Sequence, residues 1–327
     1  MTNTFDKLQD GEWPCISIVT PSFNQGRFID DTIRSVLDQG YPNLEYMIID
    51  GNSTDDSAAI IRSYGDRLKH WVSEPDRGQS HAINKGLLHC TGEIFNWLNA
   101  DDVLLPGALH AVARAWRETP GHVIAGVEVD VYPDGREVEI VSRNLSLRNF
   151  IHWREQLRNG MQWGQPVTFL PLKAVRAAGG VRPDLRYSMD HLLMIEVLQH
   201  CDVAYIPDRL ARFRIHEASK TCSAVRARFR RERIQAIRKM QRLPLDIPRR
   251  ELREDLARTL VACARAEGRS RRYIRAAAHL MHAVCLSPGE TRAAMHDFDW
   301  PGALLGKVLS ACLPSLNKAR PGEVLRT

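Results

Sequence analysis

The first hundred residues alternate between two hydrophobic periods, and this alternation constrains the fold more than any other feature of the chain. "ISIVT" (16–20), "LEYMIID" (44–50), "KHWVSEP" (69–75) and "EIFNWL" (93–98) are short apolar runs rich in β-branched and aromatic residues, the pattern of buried strands. Segments of helical spacing lie between them. Phe28, Ile29, Thr32, Ile33, Val36 and Leu37 recur at i, i+1, i+4 and i+5. Ser53 and Asp56 are spaced as a capping box ahead of the second helix, and Ala82, Ile83, Gly86, Leu87 and Cys90 share a face of the third. Three successive strand–helix alternations predict a parallel sheet covered by helices on both faces. Such sheets bind ligands beyond the carboxyl ends of their strands.

Those ends are Thr20-Pro21-Ser22, Asp50, Glu74-Pro75-Asp76 and Asn99-Ala100-Asp101-Asp102, all polar or acidic. The last is open to two readings. Asp101 and Asp102 are either turn and capping residues between the fourth strand and a helix opened by Pro106, or two acids that hold a divalent metal and a ligand. No G-x-G-x-x-G follows the first strand, and no G-x-x-x-x-G-K-[ST], H-E-x-x-H or G-x-S-x-G occurs anywhere. Acids at strand ends remain, and their chemistry is metal-assisted handling of a nucleotide diphosphate.

Downstream, "HVIAGVEVDVY", "PDG" and "REVEIVS" (122–142) read as a β-hairpin. "QPVTFL" (165–170) reads as a strand, "KAVRAAGG" (173–180) as a helix stopped by glycine, and "SMDHLLMIEVLQH" (188–200) as a helix entered at Asp190. "VAYIP" (203–207) and "LARFRIH" (210–216) read as two further strands. Beyond residue 221 the pattern is helical throughout. Val225, Phe229 and Ile237 form one stripe, Leu252, Leu256, Leu260 and Cys263 a second, and Ile274, Ala277, Met281 and Cys285 a third, before a last apolar helix at 301–313.

Charge divides the chain in the same place. Residues 1–200 carry 26 acids against 19 bases, whereas residues 201–327 carry 26 bases against 13 acids. The densest run, Arg226 to Arg242, fits a solvated exterior, an anionic membrane surface, or, least well because aromatics are sparse, a nucleic acid. No apolar run approaches the roughly 20 residues of a membrane span, and the first fifteen residues lack the apolar core of a secretory signal. Seven cysteines without a CxxC pair argue for reduced thiols rather than a disulfide frame or a zinc site.

Three blocks carry a resemblance. "VTPSFNQGRFIDDTIRSVLDQGYPNLEYMIIDGNSTDDS", "SEPDRGQSHAINKG" and "GEIFNWLNADD", with "RFRIHEASKT" closing the stretch, resemble the family 2 nucleotide-sugar glycosyltransferases of the GT-A fold in order and spacing. The resemblance runs from about residue 15 to 221. It implies an α/β catalytic domain (1–221) on a doubly wound mixed sheet, followed by a basic helical region (222–327).

It also implies roles. Thr20, Pro21 and Ser22 contact base and ribose, and Asp50 accepts from a uracil-type ring. Asp76 and Lys85 line the nucleotide side. Asp102 binds Mn²⁺ or Mg²⁺, while Asp101 meets the ribose or a metal-bound water. His216 approaches the metal or is structural. Asp190 is the general base, and Gln165, Pro166, Gly179 and Gly180 shape the donor and acceptor pocket. The chain departs from the family at Asn99, where the metal motif has an acid, and at Met189 and Leu192, which flank Asp190 where acids are usual.

The expected activity is inverting, metal-dependent transfer of a sugar from a nucleotide-diphosphate donor, UDP-linked by preference, to a saccharide or lipid-linked saccharide. Bacterial surface polysaccharide or glycolipid assembly is the expected setting, in the cytoplasm or peripherally at the membrane's cytosolic face, with no nucleic-acid partner. Two rivals stand beside it: a non-catalytic nucleotide-sugar-binding module, and a basic RNA-binding or scaffolding protein.

Overall fold

Strand β1 (Ile16–Ser22) is buried at every position, the environment that suits a β-branched run covered on both faces. It pairs in parallel with β2 (Leu44–Asp50) and with β4 (Ile94–Trp97), and β2 pairs in parallel with β3 (His70–Ser73). The crossovers are the helices the periodicity predicts: α1 (Ile29–Leu37), α2 (Ser57–Ser63) and α3 (Gln79–Leu87). Helix α3 lies so close to β1 that a Cβ on Gly86 would come within 2.5 Å of Val19. The computed structural model describes residues 13–152, 159–216, 226–241, 245 and 247–297. The chain divides into two units, Met1–Cys222 and Ser223–Thr327.

Past β4 the sheet of the first unit changes direction. β8 (Thr168–Pro171) runs antiparallel to β4 and to β6 (Val123–Val131), while β7 (Glu137–Val141) is the antiparallel hairpin partner of β6. β9 (Val203–Arg214) lies parallel to β6 on its other edge, and β5 (Val103–Leu104) closes the order β3-β2-β1-β4-β8-β6-β9-β5. One large apolar cluster joins Ile16, Ile18, Tyr46 and Ile48 to Ile33 of α1 and to Leu109, Val112 and Trp116 of α4 (Ala108–Glu118). Three further short helices, α5 (Leu147–Ile151), α6 (Leu172–Ala177) and α7 (Met189–Val197), complete this unit among the described residues.

Several boundaries differ from the sequence reading. "VAYIP" and "LARFRIH" are one strand, β9, whose register against β6 shifts around Val127. Pro207 falls in the irregular stretch, where its missing N–H costs no ladder bond. The two-residue β5 is too short to leave a periodic signal. Helix α4 starts at Ala108, after Gly107 at φ +82°, and not at Pro106. Helix α2 starts after Asp56 without a capping box, because the Ser53 hydroxyl is drawn away to Asp50. Helix α7 starts at Met189, after Ser188, so Asp190 sits inside its first turn.

The second unit is helical: α8 (Arg226–Met240), α9 (Arg249–Arg269), α10 (Tyr273–Leu286) and α11 (Pro288–Asp297). Helix α9 buries the expected Leu252, Leu256, Leu260 and Cys263, and α8 buries Ile234, Ile237 and Met240. Arg233 of α8 pairs with the buried Asp255 of α9 at 3.2 Å. The stripe read on α10 is corrected in phase. Ala276, Ala277, Leu280 and Ala283 are its buried face, whereas Ile274, Met281 and Cys285 are exposed. Val225, the Phe229 side chain and the expected helix at 301–313 lie outside the described residues. No helix among the described residues is long and apolar enough to cross a membrane.

Candidate active site at the strand ends

Parallel register places Ser22 beside Asp50, and Asp50 beside Ser73, so three strand ends form one row. Asp50 is fully buried. Its Oδ2 accepts the Ser53 N–H at 2.9 Å and the Ser73 hydroxyl at 2.6 Å, and its Oδ1 accepts the Ser53 hydroxyl at 2.5 Å. The carboxylate thus holds the β2–α2 turn from below. Thr20 is buried in a 2.9 Å hydroxyl pair with Tyr46, and Pro21 is buried beside it. Ser22 differs from both: its hydroxyl oxygen is buried and has no partner within the chain.

Asp76 reaches over this row from β3. A Cβ on Gly51 would lie 2.9 Å from Asp76 Oδ2 and 3.3 Å from the Phe23 ring, so only glycine lets the two approach. Asp76 Oδ1 accepts the Gly78 N–H at 2.6 Å. Lys85 is turned to Glu74, with Nζ 2.7 Å from its carboxylate, and clamps the β3–α3 turn. The β1–α1 and β2–α2 loops are stitched together: Asn24, at φ +53°, donates its N–H to the Ser53 hydroxyl at 2.7 Å, and its Oδ1 accepts the Thr54 N–H at 2.9 Å. The sequence reading missed this seam, although asparagine's tolerance of left-handed backbone was its available signal.

At the end of β4 the two neighbouring acids face opposite ways. Asp102 is fully buried. It accepts the Arg214 N–H at 3.2 Å on Oδ1 and the Asn99 amide at 3.1 Å on Oδ2. Burial and the neighbouring Asp101 charge raise its carboxyl well above the usual range, against the lowering pull of those two donors. Asn99 in turn accepts from Gln79 of α3 at 2.5 Å. An acid at position 99 would set one carboxylate against another, so the departure from the family pattern supplies the donor that Asp102 needs. Thr32 of α1 ties the turn by donating to the Ala100 and Asp102 carbonyls at 3.0 and 2.7 Å. Asp101, by contrast, is partly open, and its Oδ2 lies 3.0 Å from His216 Nε2. The His216 ring packs on Phe28 at 5.0 Å.

Asp190 stands in the first turn of α7, and its Oδ1 accepts the His191 N–H at 2.7 Å. Contacts along α3 connect this turn to β4. The Ser80 hydroxyl is 2.7 Å from Met189 Sδ, and the adjacent Gln79 holds Asn99. Met189 and Leu192 are buried, so the positions where the family has acids serve packing here. Gly179 and Gly180 both have positive φ, and a Cβ on Gly180 would meet Asn84 Oδ1 at 2.6 Å. Asn84 instead bonds the Val181 backbone in both directions, at 2.6 and 2.9 Å. Gln165 donates to the Trp97 carbonyl at 2.8 Å, and Asn96 to the Pro166 carbonyl at 2.9 Å, fixing 165–166 to the end of β4.

One charged feature was not foreseen. Glu128 and Asp130 share a face of β6, and Glu128 is buried against Gly164, where a Cβ would come within 2.6 Å of its Oε2. Burial pushes the Glu128 carboxyl up to about 9, and the charges of Asp130 and Asp102 act in the same direction. The alternation V-E-V-D-V looks like an exposed strand face. Only the fold reveals that Gly164 packs against it.

Among the described residues no cluster of three or more histidines, cysteines or acids is arranged to hold a metal by itself. The donor set that does converge, one carboxylate and one imidazole, suits a divalent ion that takes its remaining ligands from phosphate and water.

Residues 17–176 match the model of glycosyl transferase family 2. An uncharacterised glycosyltransferase of Rickettsia typhi is 26% identical over 224 residues, covering 65% of this chain and 67% of the relative. A GalNAc(5)-diNAcBac-PP-undecaprenol β-1,3-glucosyltransferase of Campylobacter jejuni is 29% identical over 121 residues, 36% of this chain and 39% of the relative. The crystal structure of S. aureus TarS 1–349 in complex with UDP-GlcNAc superposes with a TM-score of 0.62 at 15% identity, covering 87% of this chain and 91% of that one. Residues 17–176 therefore carry a family 2 glycosyltransferase segment, set on a mixed sheet of the GT-A type.

Proposed function

We propose that the chain transfers a sugar from a nucleotide-diphosphate donor to an acceptor hydroxyl with inversion, and that it uses a divalent cation to do so. The observation that carries this reading is the row of strand ends. At one end lie the buried, unpartnered Ser22 hydroxyl and Asp76; at the other lie Asp101 and His216. Ser22 and Asp76 contact the nucleoside, Asp50 supports the turn beneath it, and Lys85 acts through Glu74 by fixing the β3–α3 turn.

Asp101 and His216 hold the cation, while Asp102 sets the turn from inside the fold. When bound, the cation offsets the negative charge of the diphosphate leaving group. Manganese suits this pair better than magnesium, because imidazole is a poor ligand for the harder ion. Asp190 takes the proton of the attacking hydroxyl. With one base and no second nucleophile, the sugar is displaced once and its anomeric configuration inverts. UDP-sugars are the favoured donors, which the UDP-GlcNAc bound by TarS supports, and a saccharide carried on a lipid is the acceptor class that the Campylobacter relative supports. Bacterial surface polysaccharide or glycolipid assembly is the corresponding setting.

The test is donor hydrolysis and binding across UDP-, GDP- and dTDP-sugars, with Mn²⁺ and with chelator. Manganese-dependent turnover of one donor that Asp190→Asn removes while donor binding persists is the expected result. Binding without turnover for every donor would make the chain a nucleotide-sugar-binding module.

A further inference from the structure

Helix α10 has three faces, not two. Ala276, Ala277, Leu280 and Ala283 pack inward. Arg275, His279 and His282 occupy a second face. Between them lie Ile274, Ala278, Met281 and Cys285, spaced i, i+4, i+7 and i+11, which is a straight stripe along a helix. Ile274 is 74% exposed and Met281 50%, with Val284 at the stripe's edge 47% exposed. Large apolar side chains in a contiguous exposed row mark an interaction surface.

Charge identifies what fits this row. From Arg269 to Ser287 there is no acidic residue, while Arg269, Arg271 and Arg272 crowd the end of α9 and the turn leading into α10, Arg275 stands in the first turn of α10, and His279 and His282 flank the row further along. Arg269, Arg271 and Arg275 are exposed, and Arg272 pairs with Glu267 at 3.3 Å. A second copy seated on this stripe would set one acid-free basic surface against another, with no counter-charge. An anionic bilayer supplies both partners, acyl chains for the stripe and headgroup phosphates for the arginines. The stripe from Ile274 to Cys285 runs roughly 16 Å, a length suited to lying flat in the interface.

We propose that α10 is a docking surface for an anionic membrane, with Ile274, Met281 and Val284 entering the headgroup–acyl boundary and Arg269, Arg271 and Arg275 meeting the phosphates. Helix α8, richer in arginine, is not this surface. Its Ile234, Ile237 and Met240 are buried, which leaves charge without an exposed apolar row among its described side chains.

The experiment is flotation of the full chain with phosphatidylglycerol–phosphatidylcholine vesicles and with pure phosphatidylcholine vesicles. Binding to the first, absent on the second and weakened by salt, is expected. The Ile274→Glu, Met281→Glu double variant should reduce the floated fraction roughly tenfold or more, because two anchors are lost and two like charges face the lipid. Arg238→Glu on α8 should keep most of it. Melting curves and donor turnover of both variants should match the parent, which separates failure of this surface from failure of the glycosyltransferase reading. The proposal is overturned if the full chain stays with the buffer on anionic vesicles, or if the double variant floats like the parent. It is overturned equally if light scattering gives a dimer that the double variant turns into a monomer, since a second copy would then own the stripe.

Discussion

Glu128 allows a prediction that depends on burial rather than on catalysis. Folded, its carboxyl keeps a proton up to about pH 9; unfolded, it releases that proton near the ordinary glutamate value of 4.5. Between those limits the folded chain keeps a proton here that the unfolded chain has lost, so the contribution of this carboxyl to stability is fullest below about pH 4.5 and is lost as pH rises toward 9. Each pH unit in that window removes about 1.4 kcal/mol at most, so the fall from about pH 5 to about pH 7.5 approaches about 3 kcal/mol. That is a large share of the roughly 5–15 kcal/mol that stabilises a typical domain. Glu128→Gln keeps the shape and a donor toward Asp130 but does not titrate, so its stability should be flatter and should exceed the parent's by a widening margin as pH rises. Urea unfolding at several pH values, followed by tryptophan fluorescence, measures this in the first unit, because only Trp300 of the seven tryptophans lies beyond residue 222. Parallel stability–pH curves for parent and variant would refute the reasoning, since Glu128 would then titrate alike in both states.

Three further outcomes follow from the site and its scaffold. Asp101→Asn and His216→Ala should each weaken manganese-dependent donor binding about tenfold or more, whereas Asp102→Asn should chiefly lower the melting temperature; calorimetric titration and melting curves distinguish the two effects. Asp190→Asn should cut turnover about a hundredfold or more with donor affinity nearly intact, read by single-turnover kinetics, and collapse of donor affinity would instead mark Asp190 as structural. Glu45 is buried, which alone would raise its carboxyl, but donors on Lys69, Ser17 and Thr91 hold it down at about 2. Its contribution is therefore present above about pH 4.5 and lost as pH falls through about 2, and Glu45→Gln should remove that acid sensitivity in circular dichroism melts.

The alternation of periods in residues 16–98 was enough to specify four parallel strands and three crossover helices, because strands buried on both faces, as β1 and β4 are, read as short continuous apolar runs between segments of helical spacing. The same runs end in polar residues, so the row of strand ends from Ser22 to Asp101 is legible in the sequence. Which of two adjacent acids faces solvent was not. Asp101 and Asp102 are chemically identical neighbours, and only Arg214, 112 residues further along, and Thr32 on α1 decide that Asp102 turns inward and Asp101 toward His216. Glu128 was hidden for the same reason: an acid alternating with valines looks solvent-facing until Gly164, 36 residues further along, packs on it. On α10 the spacing gave a stripe, but helical spacing is equally regular on a buried face and on an exposed one. The contacts made by α9 and α11 choose Ala277 for the interior and leave Ile274 and Met281 outside. Local pattern therefore determined which elements form and where their ends lie, whereas long-range packing decided which way each charged or apolar side chain looks.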